Sequence, residues 1–190
     1  MSSANSPPSH GPTPVVGMVG AGQLARMSHQ AAIALGVPLR ILAAVPDDAA
    51  ARVSPSIDLG DPGDADDLRR FAAGVDVLTY DHELVDLEAL AEIEGRGTPS
   101  RPAAAALTFA TDKGHQRRRF AAAGLPLPRH EVTADHDAAR RAADELGWPV
   151  VVKSARGGYD GRGVWVVDGP TALDDALDAL TTLDGRLAEV

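Results

Sequence analysis

KSARGGYDGRGVW, residues 153–165, decides how this chain is read. An apolar run, PVVV, precedes it, and a second, VWVV, overlaps its end. Both runs have strand character, and no helical segment lies between them, so they predict an antiparallel pair. The join holds four glycines within residues 157–163. Glycine weakens a strand and frees the backbone, so the join reads as a flexible flap. Its N–H groups can point at phosphates, and missing side chains allow close approach. Lys153 stands where it can add a point charge. The pattern is not a Walker A loop, because G-x-x-x-x-G-K-[ST] is absent and strand–loop–strand is the wrong context. A plain hairpin loop is the competing reading, but such loops usually need about two to five residues. Tyr159, Asp160 and Arg162 point to recognition of a second substrate, with Arg162 suited to a phosphate.

Working outward, WPVVVKSA and GVWVVDG are the paired strands, and PTALDDALDAL follows as a helix with Leu173, Ala176, Leu177 and Leu180 on one face. DHDAARRAADELG reads as a helix stopped by Gly147, RHEV as a short strand, and RLAEV as the start of one more. TDKGHQRRRFAAAG reads as a helix capped by Thr111 or Asp112. Upstream, GRGTPSRP (residues 95–102) is the candidate boundary. Before it the grammar is strand–helix alternation: VVGMV, a helix over residues 20–36 with Leu24, Met27, Ala31, Ala34 and Leu35 at helical spacing, PLRILAAV, a helix from Asp64, VDVLTY, and LVDLEALAEIEG. That alternation predicts a parallel sheet with packed helices. The expected organisation is a tail over residues 1–13, a Rossmann-like α/β domain over 14–100, and a second domain over 101–190.

Gly20-Ala21-Gly22-Gln23-Leu24-Ala25 matches G-x-G-x-x-G/A between strand and helix, a phosphate-approach turn. NAD or NADP binding is one reading. The acid expected at the end of the second strand arrives late, as Asp47 and Asp48 after a proline. A ligand-free tight turn and a phosphate site for a substrate stay open beside it.

Composition narrows the classes. The chain has 190 residues, 44% hydrophobic and 24% charged, with a formal net charge of -9. The acidic balance argues against nucleic acid or an anionic membrane as a partner. Cysteine is absent, which excludes disulfides, thiolate zinc sites and cysteine nucleophiles. No apolar run approaches the ~20 residues of a spanning helix, and the polar start MSSANSPPSHGPTP lacks signal-peptide features; a cytoplasmic protein is expected. The histidines at 10, 29, 82, 115, 130 and 136 show no metal-ligand spacing and read as surface or capping residues, with His82, beside Glu83, kept as a site candidate. Asp61, Asp64, Asp66 and Asp67 read as a turn and helix start. Arg117, Arg118 and Arg119 read as a solvated face, with Arg117 able to point into a nucleotide cleft.

Three stretches in order, GAGQLARM, VLTYDHE and VVKSARGGYDGRGVW, resemble the N5-carboxyaminoimidazole ribonucleotide synthetases, a family of the ATP-grasp superfamily, over about residues 15–190. The resemblance implies a carbon–nitrogen ligase of purine biosynthesis that uses MgATP and bicarbonate to carboxylate the exocyclic amine of 5-aminoimidazole ribonucleotide. By the same resemblance, Lys153 meets the ATP phosphates and Lys113 is a basic ATP contact. Gly158, Tyr159, Asp160, Gly161, Arg162, Gly163 and Val164 form the nucleotide-covering loop, within which Tyr159, Asp160 and Arg162 meet the ribonucleotide and are the catalytic candidates. Glu189 and Val190 begin the adenine hinge. Gly22, Gln23, Leu24 and Glu83 line the ribonucleotide's side of the cleft. Leu84, Val164 and the AAVP ending of the second strand depart from the family pattern. The Mg²⁺ ligands are expected beyond residue 190, so the resemblance implies an incomplete chain that binds parts of ATP without turning over. A homodimer is implied too. The rivals are an NAD(P)-dependent oxidoreductase, a non-catalytic nucleotide-binding fragment, and an ATP-grasp enzyme with another acceptor.

Overall fold

A computed structural model of the chain describes residues 13–133, 135–156, 163–184 and 188–189. The chain divides into two compact units, Met1–Ala105 and Ala106–Val190.

The first unit is built on β1 (Val16–Val19), α1 (Gln23–Leu35), β2 (Leu39–Ala43), β3 (Ile57–Leu59), α2 (Ala65–Ala72), β4 (Val77–Tyr80) and α3 (Leu87–Gly95). All four strands are parallel, in the order β3-β2-β1-β4. The chain therefore moves outward from β1 through β2 to β3, then returns to the other side of β1 with β4. Alternation along β1 sets the two faces. Met18 is buried in a cluster with Ala25 of α1 and Ile41 and Ala43 of β2. Gly17 faces the opposite way, where a Cβ would lie 3.0 Å from the Phe71 ring and 2.9 Å from Val75. So α1 and α2 cover opposite faces, as a doubly wound sheet requires. Phe71 is 1% exposed, which contributes about 1.5–3 kcal/mol of burial. Arg40 caps this packing, with its guanidinium 5.8 Å from the Phe71 ring centroid and bonded through two nitrogens to Asp58.

Asp64 and Asp86 start α2 and α3 by accepting from backbone N–H groups of the first turn, the usual reason an aspartate sits there. Gly36 stops α1 at φ 66°, a left-handed value that favours glycine.

Several elements differ from the sequence reading. The apolar stripe of α1 faces outward: Leu24 is 60% exposed, Met27 55% and Leu35 75%, while Ala25, His29 and Ala32 are buried. Close approach of α1 to the sheet selects the small side chains. His29, read as a surface residue, is inside, and both its ring nitrogens lack a partner among the described residues. β3 is missed because three residues with little burial give no alternation to detect.

The second unit begins within α4 (Ala104–Thr111), a helix also missed, whose run of alanines carries no strong amphipathic signal. It continues with α5 (Lys113–Ala122), β5 (Val132–Thr133), α6 (His136–Leu146), β6 (Val150–Ser154), β7 (Val164–Val167), α7 (Pro170–Asp184) and β8 (Ala188–Glu189). The sheet is antiparallel, in the order β5-β8-β6-β7. The β6–β7 pair is the one expected around the glycine loop. One face is sealed: Val150, Val152 and Val167 join Ala139, Ala142 and Ala143 of α6 and Leu173, Ala176, Leu177 and Leu180 of α7 in one core. The four α7 residues are those placed on one face by their spacing.

Candidate active site

The other face of that antiparallel sheet is open. Val151 opposes Val166, and Lys153 opposes Val164, so these four side chains share one side of the pleat. Val151 is 45% exposed, Val164 46% and Val166 71%. Lys153 sits at the end of the face and pairs through its backbone with both Val164 and Glu189. A cavity of about 340 Å³ adjoins it, lined by Lys153, Arg117, Arg129, His130, Pro149 and Val151 among others. That volume is at the lower end of the range for ligand pockets. An apolar floor with cationic groups at its margin suits a flat aromatic body carrying phosphates. Sequence reading had Arg117 as a cleft candidate; it missed Arg129 and His130, whose only sequence signal is their place on a proline-rich loop. Arg129 also braces α6, donating to the carbonyls of Glu145 and Leu146.

α5 is fastened to the end of β6. The Lys113 N–H donates to the Ala155 carbonyl at 2.9 Å. Arg156 donates to the Asp112 carboxylate through Nη2 at 2.6 Å and Nε at 3.1 Å, and the other oxygen of Asp112 accepts the His115 N–H at 2.7 Å. Burial works against the Asp112 charge, but the His115 N–H and Arg156 outweigh it and hold the carboxyl below its ordinary value. Asp112 is thus the cap of α5. The Lys113 ammonium donates to the Ala110 carbonyl at 3.1 Å. Gly163 closes the loop at φ 75°, and its carbonyl accepts the Ser154 N–H. Residues 157–162, which include Gly158, Tyr159, Asp160, Gly161 and Arg162, and Val190, lie outside the described residues.

The first unit holds a separate set. Gly22, Gln23 and Leu24 follow β1, and His82 and Glu83 follow β4, its neighbour. The strand order reverses there, which is where open parallel sheets bind ligands. Gln23 and Leu24 are exposed and Glu83 is half-buried. Between them stands Asp81, a residue sequence reading passed over. Its side chain is 4% exposed, and its Oδ2 accepts the Gly22 N–H at 2.6 Å. A carboxylate therefore lies against the glycine turn where a dinucleotide would put its pyrophosphate, which counts against the nicotinamide-cofactor reading. Among the described residues no three His, Asp or Glu side chains converge as metal ligands do. Also among them, no helix is long and apolar enough to cross a membrane.

The sequence model of the ribonucleotide synthetase preATP-grasp domain matches residues 14–111, and that of the ATP-grasp domain matches residues 118–189. The chain is 51% identical over 151 residues to the N5-carboxyaminoimidazole ribonucleotide synthase of Mycobacterium tuberculosis (strain ATCC 25618 / H37Rv), covering 80% of this chain and 35% of that protein. It is similar to the crystal structure of carboxyaminoimidazole ribonucleotide synthase from Aspergillus clavatus complexed with ATP, with a TM-score of 0.86 and 27% identity over 93% of this chain and 46% of that one. The same enzyme in complex with ADP and 5-aminoimidazole ribonucleotide gives a TM-score of 0.82 at 25% identity, again over 93% and 46%. The chain thus spans less than half the length of each of these three matched chains.

Proposed function

The chain belongs to the ribonucleotide synthetase preATP-grasp family, and from that premise we propose that it serves the ATP-dependent carboxylation of 5-aminoimidazole ribonucleotide. In that reaction bicarbonate attacks the γ-phosphorus of ATP, giving carboxyphosphate and ADP. The exocyclic amine of the ribonucleotide then takes up the carboxyl group, phosphate leaves, and the amine loses a proton. The observation that carries the proposal is the open face of β6 and β7, where Lys153 stands between exposed valines and a cavity shared with Arg117. The valines offer the adenine an apolar surface. The Lys153 ammonium meets the phosphates and offsets charge that builds as the γ-phosphoryl group moves. Lys113, whose amide is fixed at the end of β6, is a second cationic contact, and Glu189 and Val190 form the adenine edge.

In the same proposal Gly158, Gly161, Gly163 and Val164 cover the nucleotide, while Tyr159, Asp160 and Arg162 hold the ribonucleotide amine and phosphate. Covering matters because carboxyphosphate hydrolyses readily, and a closed flap excludes water. Gly22, Gln23, Leu24 and Glu83 complete the ribonucleotide's contacts, with a functional boundary near residue 100. Mg²⁺ accompanies ATP in phosphoryl transfer, but the described residues offer it no ligand set, so no step is assigned to it. A cytoplasmic location is part of the same proposal, since charged substrates such as ATP do not cross a bilayer unaided. Met27, Ile33 and Leu35, exposed on α1, support a homodimer, which sedimentation would test.

ATP binding by this chain is the first test, by calorimetry, with Lys153→Ala beside it. The expected loss in the variant is about tenfold or more, the size of one charge-assisted contact of about 1.5–3 kcal/mol, with an unchanged circular dichroism spectrum. ATP binding without any effect of 5-aminoimidazole ribonucleotide keeps the nucleotide site and rejects the acceptor. Absence of ATP binding rejects the proposal.

A further inference from the structure

We propose that Asp81 sets the ligand class of the first unit: its carboxylate takes the place of a phosphate at the start of α1, so the glycine turn refuses anions. A helix start is ordinarily an anion site, because its first N–H groups lack partners and the dipole is positive there. α1 is a 13-residue helix with no acid in its first turn and no side-chain cap from Gly22. Its own residues leave the demand unmet. Asp81 meets it from the neighbouring strand.

The sheet dictates that position. Val19 and Tyr80 are register partners, and the Asp81 N–H donates to the Val19 carbonyl at 3.1 Å. The side chain of residue 81 is thereby delivered to residues 20–22. The Gly22 N–H donates to its Oδ2 at 2.6 Å, short even for a charge-assisted bond. Oδ1 is buried and receives no hydrogen bond among the described residues. His82 Nε2 lies 3.6 Å from it.

The glycines carry the second, independent observation. A Cβ on Gly20 would fall 1.8 Å from Asp81 Oδ1, and one on Gly22 2.8 Å from Oδ2. In a dinucleotide site glycine at such places clears room for a pyrophosphate. Here the room is filled from within, so the motif persists for an internal contact. A ligand phosphate reaching for the Gly22 N–H would meet an occupied donor and a like charge. The turn instead admits a neutral group or a hydrogen-bond donor. The inference concerns the ligand class of this turn and holds whichever acceptor the protein uses.

The test uses the full chain, ¹⁵N-labelled and titrated with inorganic pyrophosphate and with NADH. In the wild type the Gly20 and Gly22 amide signals are expected to stay in place. Asp81→Asn keeps an acceptor oxygen and removes the charge; Asp81→Gly also empties the volume. Pyrophosphate is expected to bind Asp81→Gly about tenfold more tightly than the wild type, with Asp81→Asn between, since removing a like charge a few ångströms away is worth at least that factor. The Gly22 amide should move with the ligand. A saturable Gly22 shift in the wild type overturns the inference. So does a folded Asp81→Asn protein whose anion affinity equals that of the wild type. If Asp81→Gly does not fold, the other two titrations still decide.

Discussion

Asp112 serves two partners with one carboxylate: it caps α5 and pairs with Arg156. Asp112→Ala is expected to cost about 1–2 kcal/mol in urea unfolding, mostly from the lost cap. Asp112→Asn keeps an acceptor for the His115 N–H and should cost less, because Arg156 is more than half exposed and exposed pairs contribute at most about 1 kcal/mol. The pH dependence has a definite sign. The folded carboxyl titrates below its unfolded value of about 3.9, so its contribution is whole above that pH and fades as pH falls through the lower, folded value. The stability gap between wild type and Asp112→Asn should therefore narrow between pH 7 and pH 3. His29 poses the opposite case, a buried polar ring without a partner among the described residues. His29→Leu is expected to stabilise by about 1 kcal/mol in thermal unfolding, since an unsatisfied buried group costs about that much or more. The helix start at Asp64 and the cap at Thr111 or Asp112 were legible because residue type and helix start coincide; this histidine was not, since nothing in its neighbours marks the face it lies on.

At the scale of elements, Gly20 is the sharpest test of the glycine turn. Its φ of 96° is one that side chains rarely adopt, and the Asp81 carboxylate fills the space a Cβ needs. Gly20→Ala should destabilise by about 2–3 kcal/mol, as strain and overlap act together. In combination with Asp81→Gly the cost should drop toward the strain alone, which a double-mutant cycle would measure. The turn itself was legible as G-x-G-x-x-A between strand and helix. What fills it was not, because Asp81 is brought there by β4, about sixty residues later in the chain. The same limit explains α1. Its strongest apolar periodicity, through Leu24, Met27 and Leu35, marks an exposed stripe, whereas the sheet takes the alanines. Periodicity reports that a helix has two faces; contact distance decides which one turns inward. For α7 the two criteria agree, and Leu173, Ala176, Leu177 and Leu180 are buried as their spacing suggests.

At the scale of the molecule, the proposed nucleotide site belongs to the second unit. ATP at a hundred times its dissociation constant would add about 2.7 kcal/mol to that unit's stability. Hydrogen exchange should show the added protection on β6, β7 and α5, and leave β1, β2 and β4 at their unliganded rates. Protection spread evenly over both units would count against that placement. Alternation of strands and helices made the first sheet legible as parallel, and the lack of a helix between β6 and β7 made their antiparallel pairing legible. The order within the second was not, because β8 pairs with β5 and β6 across long stretches of sequence. That insertion has a consequence for assembly on the ribosome. The four described strands of the first sheet are all present once Tyr80 has emerged, whereas β5 and β6 remain unjoined until Glu189 follows, 189 − 154 = 35 residues after the end of β6. At about 5–20 residues per second, Lys153 waits about 2–7 s on an unpaired strand edge, after the described strands of the first unit have all emerged.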